Sequence, residues 1–121
     1  MIYSDFKKLI AWQKSMELVT DVYRIVNSFP QEEIYGLTSQ IKRSAVSIPS
    51  NIAEGQSRGS KKDFIHFLYY ARGSAAELET QLLISVNVGL VMMEEIHSLL
   101  RQLQQIGCLT AKLIKSLETN N

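Results

Sequence analysis

The sequence predicts an all-α protein, an antiparallel up-down-up-down four-helix bundle, on three observations. Apolar residues recur at steps of three and four in four separate segments. No segment alternates with the period of two that a half-buried strand needs. The connections between segments are only a few residues long, which forces consecutive helices to run antiparallel.

The expected helices cover about residues 5–27, 34–57, 61–88 and 93–118 of a single domain spanning 1–121. Phe6, Leu9, Trp12, Met16, Val19, Tyr23 and Val26 form the core stripe of the first. It stops near Pro30, which disfavours helical geometry at Phe29. Ile34, Leu37, Ile41, Ala45, Ile48 and Ile52 carry the second stripe. The third runs Phe64, Leu68, Ala71, Ala75, Leu78, Leu82 and Val86, opened by Ser60 with Asp63 three residues on and closed by Gly89. Ile96, Leu99, Leu103, Ile106, Thr110, Leu113 and Leu117 repeat almost as a heptad in the fourth.

The stretch SIPSNIAEGQSRG (47–59) interrupts this rhythm. Pro49 has no N–H for the carbonyl of Ala45 and its ring crowds that turn, so a kink or break is expected there. Asn51 and Glu54 have the spacing of a capping box that restarts a helical turn, and Gly55 offers a left-handed stop. Residues 56–59 then turn into the third helix. With the hairpin tip at 59–60, Arg43 or Lys42 comes beside Glu77, and Glu54 beside Lys62 or His66. An Arg43–Glu77 ion pair is the expectation.

Composition bounds the class. At 45% hydrophobic and 21% charged, the chain is neither disordered nor built as a membrane span. Its longest apolar stretch, LLISVNVGLVMM (82–93), is too short for a bilayer. The N-terminus lacks the pattern of a secretory signal, and the single Cys108 has no internal disulfide partner; both fit a reducing cytoplasm. An apolar set off the main stripes, Ile10, Leu18 and Ile25 with Phe67 and Tyr70, points to self-association as a homo-oligomer.

Net charge is +1, unevenly spread. Between 42 and 72 stand six cations, Lys42, Arg43, Arg58, Lys61, Lys62 and Arg72, against Glu54 and Asp63. Cations attract phosphate without reading sequence, and Tyr69 and Tyr70 offer ring faces for unpaired bases. The same cations also suit a plain solvated helix face.

Other chemistry is poorly supported. Glu94–His97 and Asp63–His66 have the Glu-x-x-His spacing of bundle metal sites. They start consecutive antiparallel helices, however, and so lie some 30 Å apart at opposite ends. No metal site is expected. Cys108 is mid-helix with no activating base within a turn and reads as a small packed thiol. No catalytic residue and no cofactor is expected. Gly73, Ser74, Ala75 and Ala76 form a small-residue run, and Gly73 and Gly107 inside helices call for a close neighbouring helix.

The segment QIKRSAVSIPSNIAEGQSRGSKKDFIHFLYYARGSAAELETQL, with FKKLIAWQKSMELVTDVY before it, closely resembles the bacterial 23S rRNA intervening-sequence protein family. The resemblance covers about residues 6–90, and its positions here are Pro49, Asn51, Glu54, Gly55, Arg58, Gly73, Ser74 and Glu77. It implies a small bacterial four-helix bundle assembled as a ring-like homopentamer, without known enzymatic activity, and a nucleic-acid role. The accessory variability proteins of diversity-generating retroelements, a related branch, imply a reverse transcriptase as partner. In a pentamer the basic cluster would appear five times over. The expected function is therefore a non-enzymatic scaffold holding RNA or DNA at basic hairpin tips, with a protein-protein adaptor as the alternative.

Overall fold

The structure, a computed structural model, describes residues 5–119. Four helices make up most of it: α1 (Ile10–Val26), α2 (Leu37–Ser57), α3 (Lys61–Asn87) and α4 (Met93–Thr119). Single 3-10 turns at Asp5–Lys8 and Gln31–Glu33 precede α1 and α2, and no strand occurs among the described residues. Both α1 and α3 pack closely against α2 and α4, while the backbones of the diagonal pairs stay farther apart among the described residues. That is the square arrangement of a four-helix bundle whose neighbours follow one another in sequence. Among the described residues, no helix is long and apolar enough to cross a membrane.

The middles of three stripes lie where the periodicity predicts them, but Ile34 precedes α2 and is 42% exposed, and near the end of α4 Ile114 is buried while Leu113 and Leu117 are half-buried. Ile41, Ala45, Ile48 and Ile52 of α2, Leu68, Ala71, Leu78 and Leu82 of α3, and Ile96, Leu99, Leu103 and Ile106 of α4 are all buried. The helix ends also follow local chemistry. The Ser60 Oγ accepts from the Asp63 N–H at 3.1 Å, an N-cap. At the other end of α3, Gly89 takes φ +84°, Leu90 N–H reaches Ser85 O at 2.9 Å, and Gly89 N–H reaches Val86 O at 3.1 Å. This is a Schellman ending, which only a residue tolerant of left-handed backbone permits without strain.

Helix α1 departs from expectation. Its buried face is Ala11, Ser15, Leu18, Val22 and Val26. Met16 and Tyr23 are instead 44% and 42% exposed, and Trp12 and Val19 lie half-buried beside the core. The helix is rotated from the expected stripe, so that Ala11 and Ser15 face inward with Leu18, Val22 and Val26; the Ser15 hydroxyl is accommodated by donating to Ala11 O at 2.6 Å. Leu18 is therefore core, with no exposed surface left for an oligomer contact. Ile25 also packs against the core, leaving Ile10 as the exposed member of that expected set on α1. The segment before α1 is a 3-10 turn, and Leu9 is extended.

Pro49 does not break α2, which runs unbroken through it to Ser57 with the ring buried. Asn51 is no cap. Its side-chain amide donates back to Ser47 O at 2.8 Å, as a residue within a helix does. Gly55 is helical and buried, and a Cβ there would stand 2.6 Å from Phe67 Cβ. It lets α2 and α3 approach closely rather than stopping the helix, and the left-handed residue of the hairpin is Gly59, φ +84°.

Candidate nucleic-acid interface

The α2–α3 hairpin concentrates positive charge because the turn is short. Arg58 caps α2, Gly59 reverses the chain, and Lys61 and Lys62 open α3. Lysines at a helix N-terminus sit against the positive end of the helix dipole, an arrangement that an anion would relieve. Both are exposed, and neither joins an ion pair among the described residues. They line a groove of about 540 Å³ with Ile65, His66 and Tyr69 of α3 and Leu117 and Glu118 of α4. Tyr69 is half exposed, and the Arg72 guanidinium lies over its ring, 5.9 Å from the centroid.

Arg58 is differently placed. Its guanidinium meets the Glu54 carboxylate at 2.9 Å and lies 4.9 Å over the Phe67 ring. The hydrogen bond to Glu54, with the charges of Glu54 and Asp63 nearby, raises its pKa further above the ordinary arginine value. Glu54 thus pairs one turn along its own helix, and not with Lys62 or His66. Phe67, half-buried between Gly55 and Arg58, is a packing residue more than a free surface.

The remaining cations do not join the tip. Lys42 is half-buried with its ammonium 4.9 Å over Tyr23, on the α1 side of α2. Arg43 is exposed, some 22 Å along α2 from Arg58 by helical rise. The expected Arg43–Glu77 ion pair is absent among the described residues, whose ion pairs are Lys14–Glu17, Asp21–Arg24 and Glu54–Arg58. The register between α2 and α3 matches the hairpin expectation, since Gly55 faces Phe64 and Phe67, but Arg43 and Glu77 both point outward.

His66, Leu117 and Glu118 join this groove without a sequence expectation to place them there. Hairpin arithmetic centred on the α3–α4 turn is the signal that finds them, because it sets Leu117 opposite the first turn of α3. A second groove, about 620 Å³, runs between α3 and α4 past Arg72, Ala75, Ala76, Glu79, His97, Arg101 and Gly107. His66 and His97 belong to different grooves. With Leu117 beside His66, His97 lies about 30 Å away by helical rise. Among the described residues, no three His, Cys, Asp or Glu side chains gather as a metal site would require. Cys108 is exposed, not packed, because its position on α4 is turned away from Leu103, Ile106 and Thr110. Gly73 and Gly107 have nothing within 4 Å of where a Cβ would be, so no described helix of the same chain approaches them closely.

A solved structure shares this architecture: a protein of unknown function from the S23 ribosomal protein family of Bacteroides thetaiotaomicron VPI-5482. It is 28% identical, with TM-score 0.77 over 88% of this chain and 99% of that one. No curated protein matches the chain. The family model described as 23S rRNA-intervening sequence protein matches residues 7–112, which takes in all of α1, α2 and α3 and most of α4. The chain belongs to the 23S rRNA-intervening sequence protein family.

Proposed function

We propose that this chain is a non-enzymatic, self-associating scaffold of the bacterial cytoplasm that holds RNA or DNA by its phosphates at the α2–α3 hairpin tip. The observation that carries this reading is that Lys61, Lys62 and Tyr69 share one groove, with the Arg72 guanidinium 5.9 Å from the centre of the Tyr69 ring. Two unpaired ammonium groups receive phosphate, and a half-exposed ring offers a face on which an unpaired base stacks. Contacts of this kind to the phosphate backbone hold a strand without reading its sequence. Arg58 contributes less than its position implies, because Glu54 already occupies its guanidinium.

Fluorescence anisotropy with a labelled single strand, over a range of salt, tests the reading. Removing one phosphate-binding cation should flatten the salt dependence by about 0.7 in log–log slope. The double change Lys61→Glu, Lys62→Glu should abolish most of the slope, whereas Arg58→Ala should alter it little. A wild-type affinity indifferent to salt would refute the proposal.

The adaptor reading retains one specific support, the exposed aromatic rings of Tyr70 and Tyr35, 51% and 97% accessible. It predicts capture of a partner enzyme such as a reverse transcriptase that survives the lysine reversals and is abolished by Tyr70→Ala. Phe67→Ala, which would empty the space beside Gly55, is the poorer probe.

A further inference from the structure

The groove at the lysine tip does not end at Tyr69. Both it and the larger groove lie between α3 and α4, and Arg72 joins them. Its guanidinium stands 5.9 Å from the centre of the Tyr69 ring, which lines the first, while Arg72 itself lines the second. Small side chains open the second groove. Ala71, Ala75 and Ala76 of α3 line it with Leu103, Ile106 and Gly107 of α4, and nothing stands within 4 Å of a Cβ position at Gly107. The floor is therefore largely apolar, and Arg72, Glu79, His97 and Arg101, all exposed, stand along its rim.

Positive charge is laid along this face in sequence. Lys61 and Lys62 stand at the tip, and Arg72 lies about 15 Å further along α3 by helical rise. The antiparallel register that sets Leu117 opposite Lys62 sets Arg101 level with Leu78, about 10 Å beyond Arg72. None of these four cations joins an ion pair among the described residues, and the carboxylates lining the two grooves are Glu79 and Glu118. The outward positions of α4 beside the face are His97, Arg101, Gln104, Cys108, Ala111 and Lys115. With no large apolar side chain among them, the face suits a charged occupant better than another helix.

We infer that a single strand of nucleic acid lies lengthwise in the α3–α4 groove, its phosphates passing from Lys61 and Lys62 to Arg72 and Arg101 and its bases turned onto Tyr69 and the apolar floor. The inference rests on the phosphate-binding reading of the tip and extends it in two ways. It brings Arg101, on a different helix, into the interface, and it selects single strand over duplex. A ring face and an apolar floor reward only unpaired bases, because a duplex keeps its base faces stacked inside. A path of about 25 Å suits a strand of about four nucleotides, the short end of single-strand site sizes. Glu79 borders the path and repels phosphate, which holds affinity down.

Anisotropy of the intact chain with a labelled strand of about four nucleotides, over a range of salt, tests the path. Arg101→Ala should flatten the log–log salt slope by about 0.7, the share of one phosphate contact, and Arg101→Lys should keep it. Arg43→Ala, which removes a cation exposed on α2 away from the groove, should leave the slope unchanged. Glu79→Gln should tighten binding by about twofold or more at low salt, where repulsion is least screened. A duplex should respond to Lys61→Glu with Lys62→Glu but not to Arg101→Ala. Circular dichroism should show every variant helical, since each altered side chain is exposed. If the lysine reversals remove the salt dependence while Arg101→Ala and Glu79→Gln leave single-strand binding unchanged, the path is wrong and the tip stands. A wild type indifferent to salt would overturn both.

Discussion

At Gly55 a single hydrogen in place of a methyl sets how closely α2 and α3 approach. A Cβ there would fall 2.6 Å from Phe67 Cβ and 3.3 Å from the Phe64 carbonyl oxygen, so backbone and the stem of a ring would both have to move. Gly55→Ala should destabilise the fold by about 1–3 kcal/mol, the usual range for overpacking, even though alanine gains about 1 kcal/mol of helix propensity. Gly107 gives the opposite case, being helical with nothing within 4 Å of a Cβ position. Gly107→Ala should stabilise by roughly 0.5–1 kcal/mol. Urea midpoints of the two variants measured side by side decide both, and equal shifts would contradict the geometry. The S-I-P-S-N-I-A-E-G block makes Gly55 visible in the sequence, but only the packing shows that it accommodates Phe67 and is not a stop.

At the scale of the helix, Pro49 shows how tertiary structure overrides a local rule. A proline inside a helix costs about 3 kcal/mol relative to alanine through its missing donor and ring clash. Here the ring is buried beside Trp12 and Met16, which recovers part of that cost. Pro49→Ala should restore the donor to Ala45 O and remove only a ring edge, a net gain of about 1 kcal/mol. A lower urea midpoint would mean that the ring against Trp12 matters more than the missing hydrogen bond. Helix α1 escapes the sequence pattern for a related reason. Hydrophobic periodicity weights large side chains, so it favours Trp12, Met16 and Tyr23 over Ala11 and Ser15. The core takes in Ala11 and Ser15, while Met16 and Tyr23 are left exposed and Trp12 half-buried at its edge. Helices α2, α3 and α4 are more legible because their large apolar side chains, such as Ile41, Ile48, Leu78, Leu82, Leu99 and Leu103, do face inward. The basic tip is legible because it is local in sequence. The pairing of its cations is not, since Arg58 meets Glu54 and Lys42 meets Tyr23 by side-chain reach.

At the scale of the whole molecule, net charge and function pull against one another. A chain of net charge +1 has little long-range attraction for a polyanion. The tip supplies two free ammonium groups, and releasing counterions from so few sites gives only weak binding. Repeating the tip around an assembly changes this, because one strand then meets several tips at high effective concentration. The amplification yields a prediction in which strand length decides between single chains and an assembly. If single chains do the binding, a strand of a few nucleotides and a long one should show the same salt slope, that of one chain. If an assembly does, the long strand should bind about tenfold or more tightly than the short one and show a steeper salt slope, and dilution below the concentration of assembly should remove both. Anisotropy with short and long strands over a range of protein concentration separates the two accounts: equal slopes at every concentration would remove assembly from the mechanism and leave each chain acting alone.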